Sequence, residues 1–352
     1  MASTFAPLRV ARVEQLTDDA VAITFDVPSE QREAFRFRPG QALTVRRVTA
    51  SRDERRSYSI CAARDAAPRI GVRVVDGGEV SGWLVRDVRA GDVVEVLPPS
   101  GAFALGDETG GRHVLVAAGS GITPMMSIAS TVLADAAGEV MLVYANRRSD
   151  TVMFADELAD LKNRYPTRFQ LVHVLSREPG EAELLSGRLD AARFGALLDG
   201  LVAVDAVDHW WLCGPYPMVE VVRAELLARG VDPARVHREL FYVEDVAPPP
   251  AEHVDARPQG ATSDVTVVLD GRATVLTLSR DEPILDAAQR VRSDLPFACK
   301  GGVCGTCRAR VTAGEVFLRR NFALEDDELA DGFVLTCQSL PVSDRVTVDF
   351  DT

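Results

Sequence analysis

A chain of 352 residues has room for two or three domains, and its formal charge of −13 opposes nucleic acid or an anionic membrane surface as a partner. Hydrophobic residues make up 47% of it and the mean hydropathy is close to zero, the composition of an ordinary soluble protein with real cores. Six cysteines suggest no disulfide framework, and the opening Met-Ala-Ser-Thr-Phe-Ala-Pro lacks the basic and apolar regions of a secretion signal, so a cytoplasmic location is expected.

From residue 5 to about 105 the pattern is one of short strands parted by turns. Val21–Val27, Ala42–Arg46 and Ile70–Val75 alternate apolar and polar side chains, and Pro39-Gly40, Asp76-Gly77-Gly78, Gly91-Asp92 and Pro98-Pro99 punctuate them. This predicts an antiparallel barrel or sandwich. Within it, Arg56-Ser57-Tyr58-Ser59 offers a cation for a pyrophosphate, a flat face for a ring and a hydroxyl donor, the three things a flavin dinucleotide needs. Alone, such a tetrapeptide is equally an ordinary strand end. Gly78-Glu-Val-Ser81 follows and offers backbone N–H groups and a hydroxyl to the same phosphates.

From His113 the pattern changes to apolar strands alternating with helices. Val114–Ala118, Val140–Tyr144, Phe169–Leu175 and His209–Cys213 read as parallel strands. Val114 to Ala134 is long enough to span a membrane, but Gly119, Ser120, Gly121 and Pro124 interrupt it and favour strand, turn and helix. Gly119-Ser-Gly121-Ile-Thr123-Pro124 suits a pyrophosphate at a helix N-terminus, with Pro124 at the first helical position and in place of the third glycine of the common dinucleotide fingerprint. Cys213-Gly214-Pro215 ends the last apolar strand at the carboxyl edge of the sheet, where such folds bind ligands; Cys213 is otherwise a small buried hydrophobe. Arg147, Arg177 and Arg188 lie where a 2′-phosphate would be read, and no acidic residue directly ends the strand at Tyr144, so NADPH is expected over NADH, although any one of the three is equally a solvated loop charge.

Residues 244–262 contain Pro248-Pro249-Pro250 and little to pack, which predicts a linker. Beyond it come a hairpin turning at Asp270-Gly271, a short helix from Pro283 with Ile284, Leu285, Ala288 and Val291 on one face, and a strand Arg308–Thr312. Between helix and strand runs Cys299-Lys-Gly-Gly-Val-Cys304-Gly-Thr-Cys307, answered by Cys337. That is the C-x4-C-x2-C…C spacing of a plant-type [2Fe–2S] cluster, with Gly301, Gly302 and Gly305 expected to free the backbone for positive φ. A structural zinc site would more usually supply two short-spaced pairs.

In this order the motifs, together with Glu239-Leu-Phe241, resemble a ferredoxin–NADP+ reductase-type flavoprotein with a C-terminal plant-type ferredoxin domain, over essentially the whole chain. The resemblance implies a Greek-key FAD barrel over 1–106, a Rossmann-like NAD(P) domain over 107–243, the linker, and a β-grasp ferredoxin over 263–352. It also implies that Arg56, Tyr58, Ser59, Arg73, Val74, Gly78 and Ser81 hold FAD, with Ser59 near N5 and Glu239 and Phe241 closing the site. Gly119, Gly121, Thr123, Pro124, Cys213, Gly214 and Pro215 would seat the nicotinamide nucleotide, with Cys213 beside the hydride-bearing carbon, and Cys299, Cys304, Cys307 and Cys337 would bind the cluster. Ser59, Cys213 and Glu239 are thereby the expected catalytic residues. The implied activity is electron transfer from NADPH through FAD and the cluster to the oxygenase component of a multicomponent monooxygenase, a di-iron enzyme in the group whose cysteine loop is most similar. Lys300, Arg308, Arg310, Arg319 and Arg320 would face that partner, unless they are merely rim charges. A cluster-based redox sensor and a diaphorase that reduces small molecules are the competing readings.

Overall fold

The computed structural model describes residues 5–49, 53–178, 182–242, 261–292 and 295–352. The predicted linker therefore lies, apart from Ala261 and Thr262, outside the described residues. Residues 5–54 with 58–243 form one compact unit, and the C-terminal residues belong to a second.

The first unit begins with six antiparallel strands: β1 (Ala6–Thr17), β2 (Ala20–Asp26), β3 (Ala42–Val48), β4 (Asp53–Ser59), β5 (Arg69–Arg73) and β6 (Val93–Val96), ordered β4-β3-β6-β1-β2-β5. A bridge from Ile60 to Ile70 joins the end of β4 to β5 and closes the sheet into a barrel around Leu8, Val10, Ile23, Phe25, Leu43 and Val45. Helix α1 (Glu79–Arg86) interrupts this all-strand pattern. Its Gly78-Glu-Val-Ser opening reads as a turn in sequence, and the helix is held by Val80 and Leu84, one turn apart and both buried.

The α/β layer has five parallel strands, β7 (Gly111–Ala118), β8 (Gly138–Asn146), β9 (Phe169–Leu175), β10 (His209–Pro215) and β11 (Val236–Tyr242), in the order β11-β10-β7-β8-β9. Helices α2 (Ile122–Ala134), α3 (Ala155–Arg164), α4 (Ala191–Leu201) and α5 (Tyr216–Ala228) connect them. Pro124 is the third residue of α2, not the first, because a 3-10 turn over Gly119–Gly121 runs straight into the helix. Its missing N–H still falls in the first turn, where no intrahelical partner would exist. Strand β11, which carries Glu239, completes the sheet beside β10.

The second unit is a mixed β-grasp sheet. It contains β12 (Thr262–Leu269), β13 (Arg272–Ser279), β14 (Arg308–Ala313), β16 (Phe333–Leu335) and β18 (Arg345–Asp349), ordered β13-β12-β18-β14-β16, with a separate pair β15 (Val316–Leu318) and β17 (Ser339–Pro341). Asp270 and Gly271 take φ of 54° and 66°, the type I′ turn the sequence predicts. First and last strands, β12 and β18, run parallel with Val265 opposite Val346 and Val267 opposite Val348. Helix α6 (Ile284–Gln289) buries Ile284, Leu285, Ala287 and Ala288, while Val291 falls beyond its end and is 60% exposed. The predicted apolar face thus runs one turn too far. A short helix α7 (Asp326–Ala330) precedes β16.

Three histidines meet on adjacent strands of the α/β sheet. His113 on β7 faces His209 on β10, with ring centroids 5.0 Å apart, and His209 Nδ1 lies 3.2 Å from His237 Nε2 on β11. Trp211 stacks on His237 and donates its indole N–H to His113 Nδ1 at 3.2 Å. Burial pushes His113 and His237 down to about 4; the neighbouring His209 adds to this, and for His113 the Gly110 carbonyl and Asp208 oppose it. In the unfolded chain both titrate near 6.5, so between pH 6.5 and 4 the unfolded state binds more protons and stability falls as pH falls. All three tryptophans (Trp83, Trp210 and Trp211) lie in this unit, so tryptophan fluorescence should report a melting temperature that drops across that window. His237→Gln should flatten the drop, and an equal pH dependence in wild type and variant would contradict the assignment.

Candidate functional site

The strand order reverses between β7 and β10, the switch point at which open α/β sheets form a crevice beyond the carboxyl ends of their strands. The loop after β7 is Gly119–Gly121. Gly119 takes φ of +54°, and its carbonyl accepts the O–H of Tyr144 at 3.0 Å. Tyr144 is fully buried, which raises its phenol and keeps it a donor. Gly121 has a different reason for being glycine: a Cβ there would lie 2.2 Å from the Cys213 carbonyl oxygen. Only hydrogen fits where this loop meets strand β10. Thr123 is buried and gives its hydroxyl to the Ser120 carbonyl at 3.0 Å. Pro124 is buried beside it. Gly214 and Pro215 follow Cys213, with Pro215 exposed at the start of α5.

Ser59 and Cys213 lie 180 and 26 residues from Glu239 in sequence, and the three converge here. Ser59 Oγ donates to Glu239 Oε2 at 3.1 Å, and Cys213 Sγ lies 3.9 Å from the same oxygen. Cys213 and Glu239 are brought together because they are paired residues of β10 and β11. Burial pushes the Glu239 carboxyl up to about 8, against the pull of its Ser59 and Cys213 hydrogen bonds. Burial, reinforced by Glu239, raises the Cys213 thiol well above its usual range. At neutral pH the three groups are therefore a hydroxyl, a thiol and a neutral acid. This is a buried, uncharged, proton-bearing wall. Phe241 is half-buried and packs against the same core.

Other predicted side chains are engaged elsewhere. Arg73 donates to Asp19 at 3.2 Å and to the Thr151 carbonyl at 2.6 Å, and the Val74 N–H goes to the Asp19 carbonyl. Ser81 Oγ accepts the Val75 N–H at 3.1 Å and donates to the Gly78 carbonyl. Gly78 caps α1, which has no side-chain cap, so first-turn N–H groups remain for an anion. Arg56 and Tyr58 lie on β4, Arg56 reaching the Arg55 carbonyl at 2.7 Å. These features suit a dinucleotide phosphate.

In the second unit the cysteines form two pairs, Cys299 with Cys304 and Cys307 with Cys337. The Cys304 thiol and the N–H groups of Val303 and Gly301 hold Cys299 down to about 5. Gly301 N and Val303 N point at Cys299 Sγ from 3.3 and 3.4 Å, and Cys299 N at Cys304 Sγ from 3.5 Å. Two thiol pairs suit two irons. Gly302 and Gly305 have positive φ as expected, but Lys300 (φ 52°) and not Gly301 is the third such residue. Gln338 and Thr336, which the cysteine spacing does not single out, brace the loop. Gln338 Nε2 donates to the Lys300 carbonyl at 2.8 Å, and Thr336 Oγ1 to the Cys307 carbonyl at 2.9 Å. Their flanking position in Thr336-Cys337-Gln338 is the available signal.

Barrel, nucleotide layer and cysteine loop together define a flavin- and iron–sulfur-dependent NAD(P)H reductase, an electron-transfer oxidoreductase. Residues 7–105 match the oxidoreductase FAD-binding domain, 115–224 the oxidoreductase NAD-binding domain and 267–342 the 2Fe-2S iron-sulfur cluster binding domain. The chain belongs to the family of ferredoxin reductase-type components of oxygenase systems. It is 42% identical to one of the subunits of 1,2-phenylacetyl-CoA epoxidase from Escherichia coli (strain K12), over 99% of this chain and 98% of that one. It is 35% identical to the ferredoxin reductase component of 3-ketosteroid-9-alpha-monooxygenase of Rhodococcus rhodochrous, over 97% and 96%. Phthalate dioxygenase reductase, described as a modular structure for electron transfer from pyridine nucleotides to [2Fe-2S], shares the fold with a TM-score of 0.62 and 25% identity, over 98% of both chains. No helix among the described residues is long and apolar enough to cross a membrane.

The flavin and cluster residues share no ligands, so Cys304→Ser should abolish the cluster's visible spectrum and leave one FAD per chain. Flavin loss in that variant, read by absorbance after acid release, would contradict the separation of the two sites.

Proposed function

We propose that this chain carries electrons from NADPH to the di-iron oxygenase that epoxidises phenylacetyl-CoA in phenylacetate degradation. The convergence of Ser59, Cys213 and Glu239 at the crevice supports the hydride site, and 42% identity over nearly the full length of an epoxidase component supports the partner. When bound, FAD accepts a hydride from the nicotinamide and passes electrons singly to a [2Fe–2S] cluster. The chain's own residues do the rest. Arg56, Tyr58 and Ser59, the α1 N-terminus at Gly78–Ser81 and Phe241 hold the flavin, with Arg73 and Val74 bracing the edge of the barrel. Gly119, Gly121, Thr123, Pro124, Gly214 and Pro215 shape the nucleotide loop, and Cys213 lies beside the reacting carbon. Glu239 holds a proton near Ser59, and Cys299, Cys304, Cys307 and Cys337 hold two irons. The proposed domains are 1–106, 107–243 and 263–352, joined by 244–262. Buried, unpaired Cys61 and Cys213 support a reducing, cytoplasmic setting.

Preference for NADPH is supported by Arg147, Arg177 and Arg188. The Arg177 N–H donates to the Arg147 carbonyl at 2.8 Å, and the Gly187 N–H to the Leu175 carbonyl at 2.9 Å, which gathers these segments at the ends of β8 and β9. All three arginines are exposed and have no side-chain partner among the described residues. Strand β8 ends in the neutral Asn146, and the nearby Glu178 is engaged by the N–H and hydroxyl of Ser149. Of the basic residues expected to meet the oxygenase, Lys300 pairs with Asp286 at 2.9 Å and Arg308 with Glu328 at 3.3 Å, and Arg310 donates to the Asp331 carbonyl. Arg319 and Arg320 are the pair left without a side-chain partner among the described residues, and they carry the electrostatic part of the proposal.

A charge-assisted phosphate contact is worth about 1.5–3 kcal/mol, so Arg177→Ala should raise the NADPH KM about tenfold or more and spare NADH. Equal kcat/KM for the two donors in the wild type would refute the preference. Flavin reduction should slow as pH rises through about 8, where Glu239 loses its proton, and Glu239→Gln should remove that limb. A limb that survives in the variant belongs to another group. The partner is tested by mixing the purified chain with the di-iron epoxidase, phenylacetyl-CoA and NADPH. Product in proportion to NADPH consumed is expected, and transfer only to a steroid or aromatic-ring hydroxylase would overturn the assignment.

A further inference from the structure

The hydride-site residues come from two layers, Ser59 from the barrel and Cys213 and Glu239 from the α/β sheet. Their spacing is therefore no better fixed than the seam that joins the layers. Strand β5 lies on that seam, and alternate residues Arg69, Gly71 and Arg73 all face the segment Thr151–Glu157. At Gly71 a Cβ would lie 2.4 Å from the methyl of Thr123 and 3.0 Å from Cζ of Phe154, so the barrel strand presses directly on the residue two after Gly121. Phe154 is 2% exposed and begins α3 with φ of +60°, a left-handed conformation rare for an aromatic residue and kept only where packing enforces it. The Arg69 guanidinium lies 5.4 Å from the centre of the Phe154 ring and donates through both terminal nitrogens to Glu157, at 2.9 and 2.8 Å. Arg73 donates to the Thr151 carbonyl at 2.6 Å. On the helix side, Ser127 donates to the Ala62 carbonyl at 2.5 Å.

We propose that the seam of Arg69, Gly71, Phe154 and Glu157 fixes the distance between the flavin face and the nicotinamide pocket, making these four residues positioning residues for hydride transfer. The inference rests on the reading of Ser59, Cys213 and Glu239 as the hydride site. In the step concerned, a C–H bond of the dihydronicotinamide breaks with both its electrons and an N–H bond forms on the flavin. The nicotinamide is oxidised and the flavin reduced by two electrons, with no third reactant. Transfer of this kind needs the reacting atoms at about 3–3.5 Å, and a misplacement of about 1 Å costs on the order of a hundredfold. A bidentate ion pair braced on a strained buried ring is a stiff way to hold that distance.

The test uses the full-length holoprotein with Glu157→Gln, which keeps shape and removes charge, and Gly71→Ala as a second variant. FAD content and NADPH affinity should stay within about twofold of wild type. Amide exchange should quicken at residues 151–158, the charge-transfer band of the NADP+ complex should weaken, and flavin reduction by NADPH should slow about tenfold with an altered deuterium isotope effect. Arg69→Met combined with Glu157→Gln should be no slower than Arg69→Met alone, since Arg69→Met already breaks the Glu157 pair together with the 3.2 Å pair of Arg69 to Glu14. Wild-type flavin reduction and an unchanged charge-transfer band in Glu157→Gln, with quickened exchange, would overturn the proposal. Should Gly71→Ala lose its flavin, Glu157→Gln still decides. If flavin reduction in Glu239→Gln keeps the wild-type slowing above pH 8, the hydride-site reading itself fails; if Glu239→Gln removes that limb and Glu157→Gln leaves reduction at the wild-type rate, only the seam fails.

Discussion

A hydrogen atom's width controls this fold's nucleotide crevice. Gly121 lies so close to the Cys213 carbonyl that any side chain would collide with it, and that contact ties the loop after β7 to strand β10. Every other part of the crevice depends on it. Strand pairing sets Cys213 opposite Glu239, and Glu239 in turn reaches Ser59 in the barrel. Tyr144 secures the far side of the same loop through the Gly119 carbonyl. The sheet order supplies the crevice, and small residues set how narrow it is.

Electrostatics then follow from exclusion of water. A half-buried carboxylic acid set against buried Ser59 and Cys213, with only a hydroxyl and a thiol to accept from, keeps its proton, so the crevice wall remains uncharged where an exposed glutamate would be an anion. A neutral wall avoids placing a fixed negative charge beside a cofactor that gains electrons. The cysteine loop solves the opposite problem. Thiolates that must carry negative charge are met by backbone N–H groups, and the loop reaches this geometry by placing Lys300, Gly302 and Gly305 in left-handed conformations.

What could be read from residues alone was local. Strand alternation, the Asp270-Gly271 turn, the glycine loop and the cysteine spacing all express short-range physics, and each sits where its pattern points. Helix α1 was missed because Asp76-Gly77-Gly78 announces a turn and hides the apolar spacing just beyond it. Val291 was misassigned because an apolar residue at helical spacing does not reveal that the helix has already ended. The left-handed residue at Lys300 instead of Gly301 follows from how the whole loop wraps, which glycine content does not specify. Arg69, Phe154 and Glu157 carry no local signature at all. Their significance lies in a contact across 88 residues of sequence, made only when barrel and α/β layer have met.

The pairing of β12 with β18 has a consequence in time. The first strand of the ferredoxin unit finds its parallel partner in Arg345–Asp349, beyond every other strand of the sheet in sequence, so the central strands of that sheet come together only after β18 has been made. Cys299, Cys304 and Cys307 leave the ribosome earlier, and Cys337 shortly before that closing strand. A cluster held by these four cysteines would therefore rest on a complete sheet only once β18 has paired, whereas the barrel and nucleotide layer have all their strands in hand a hundred residues sooner.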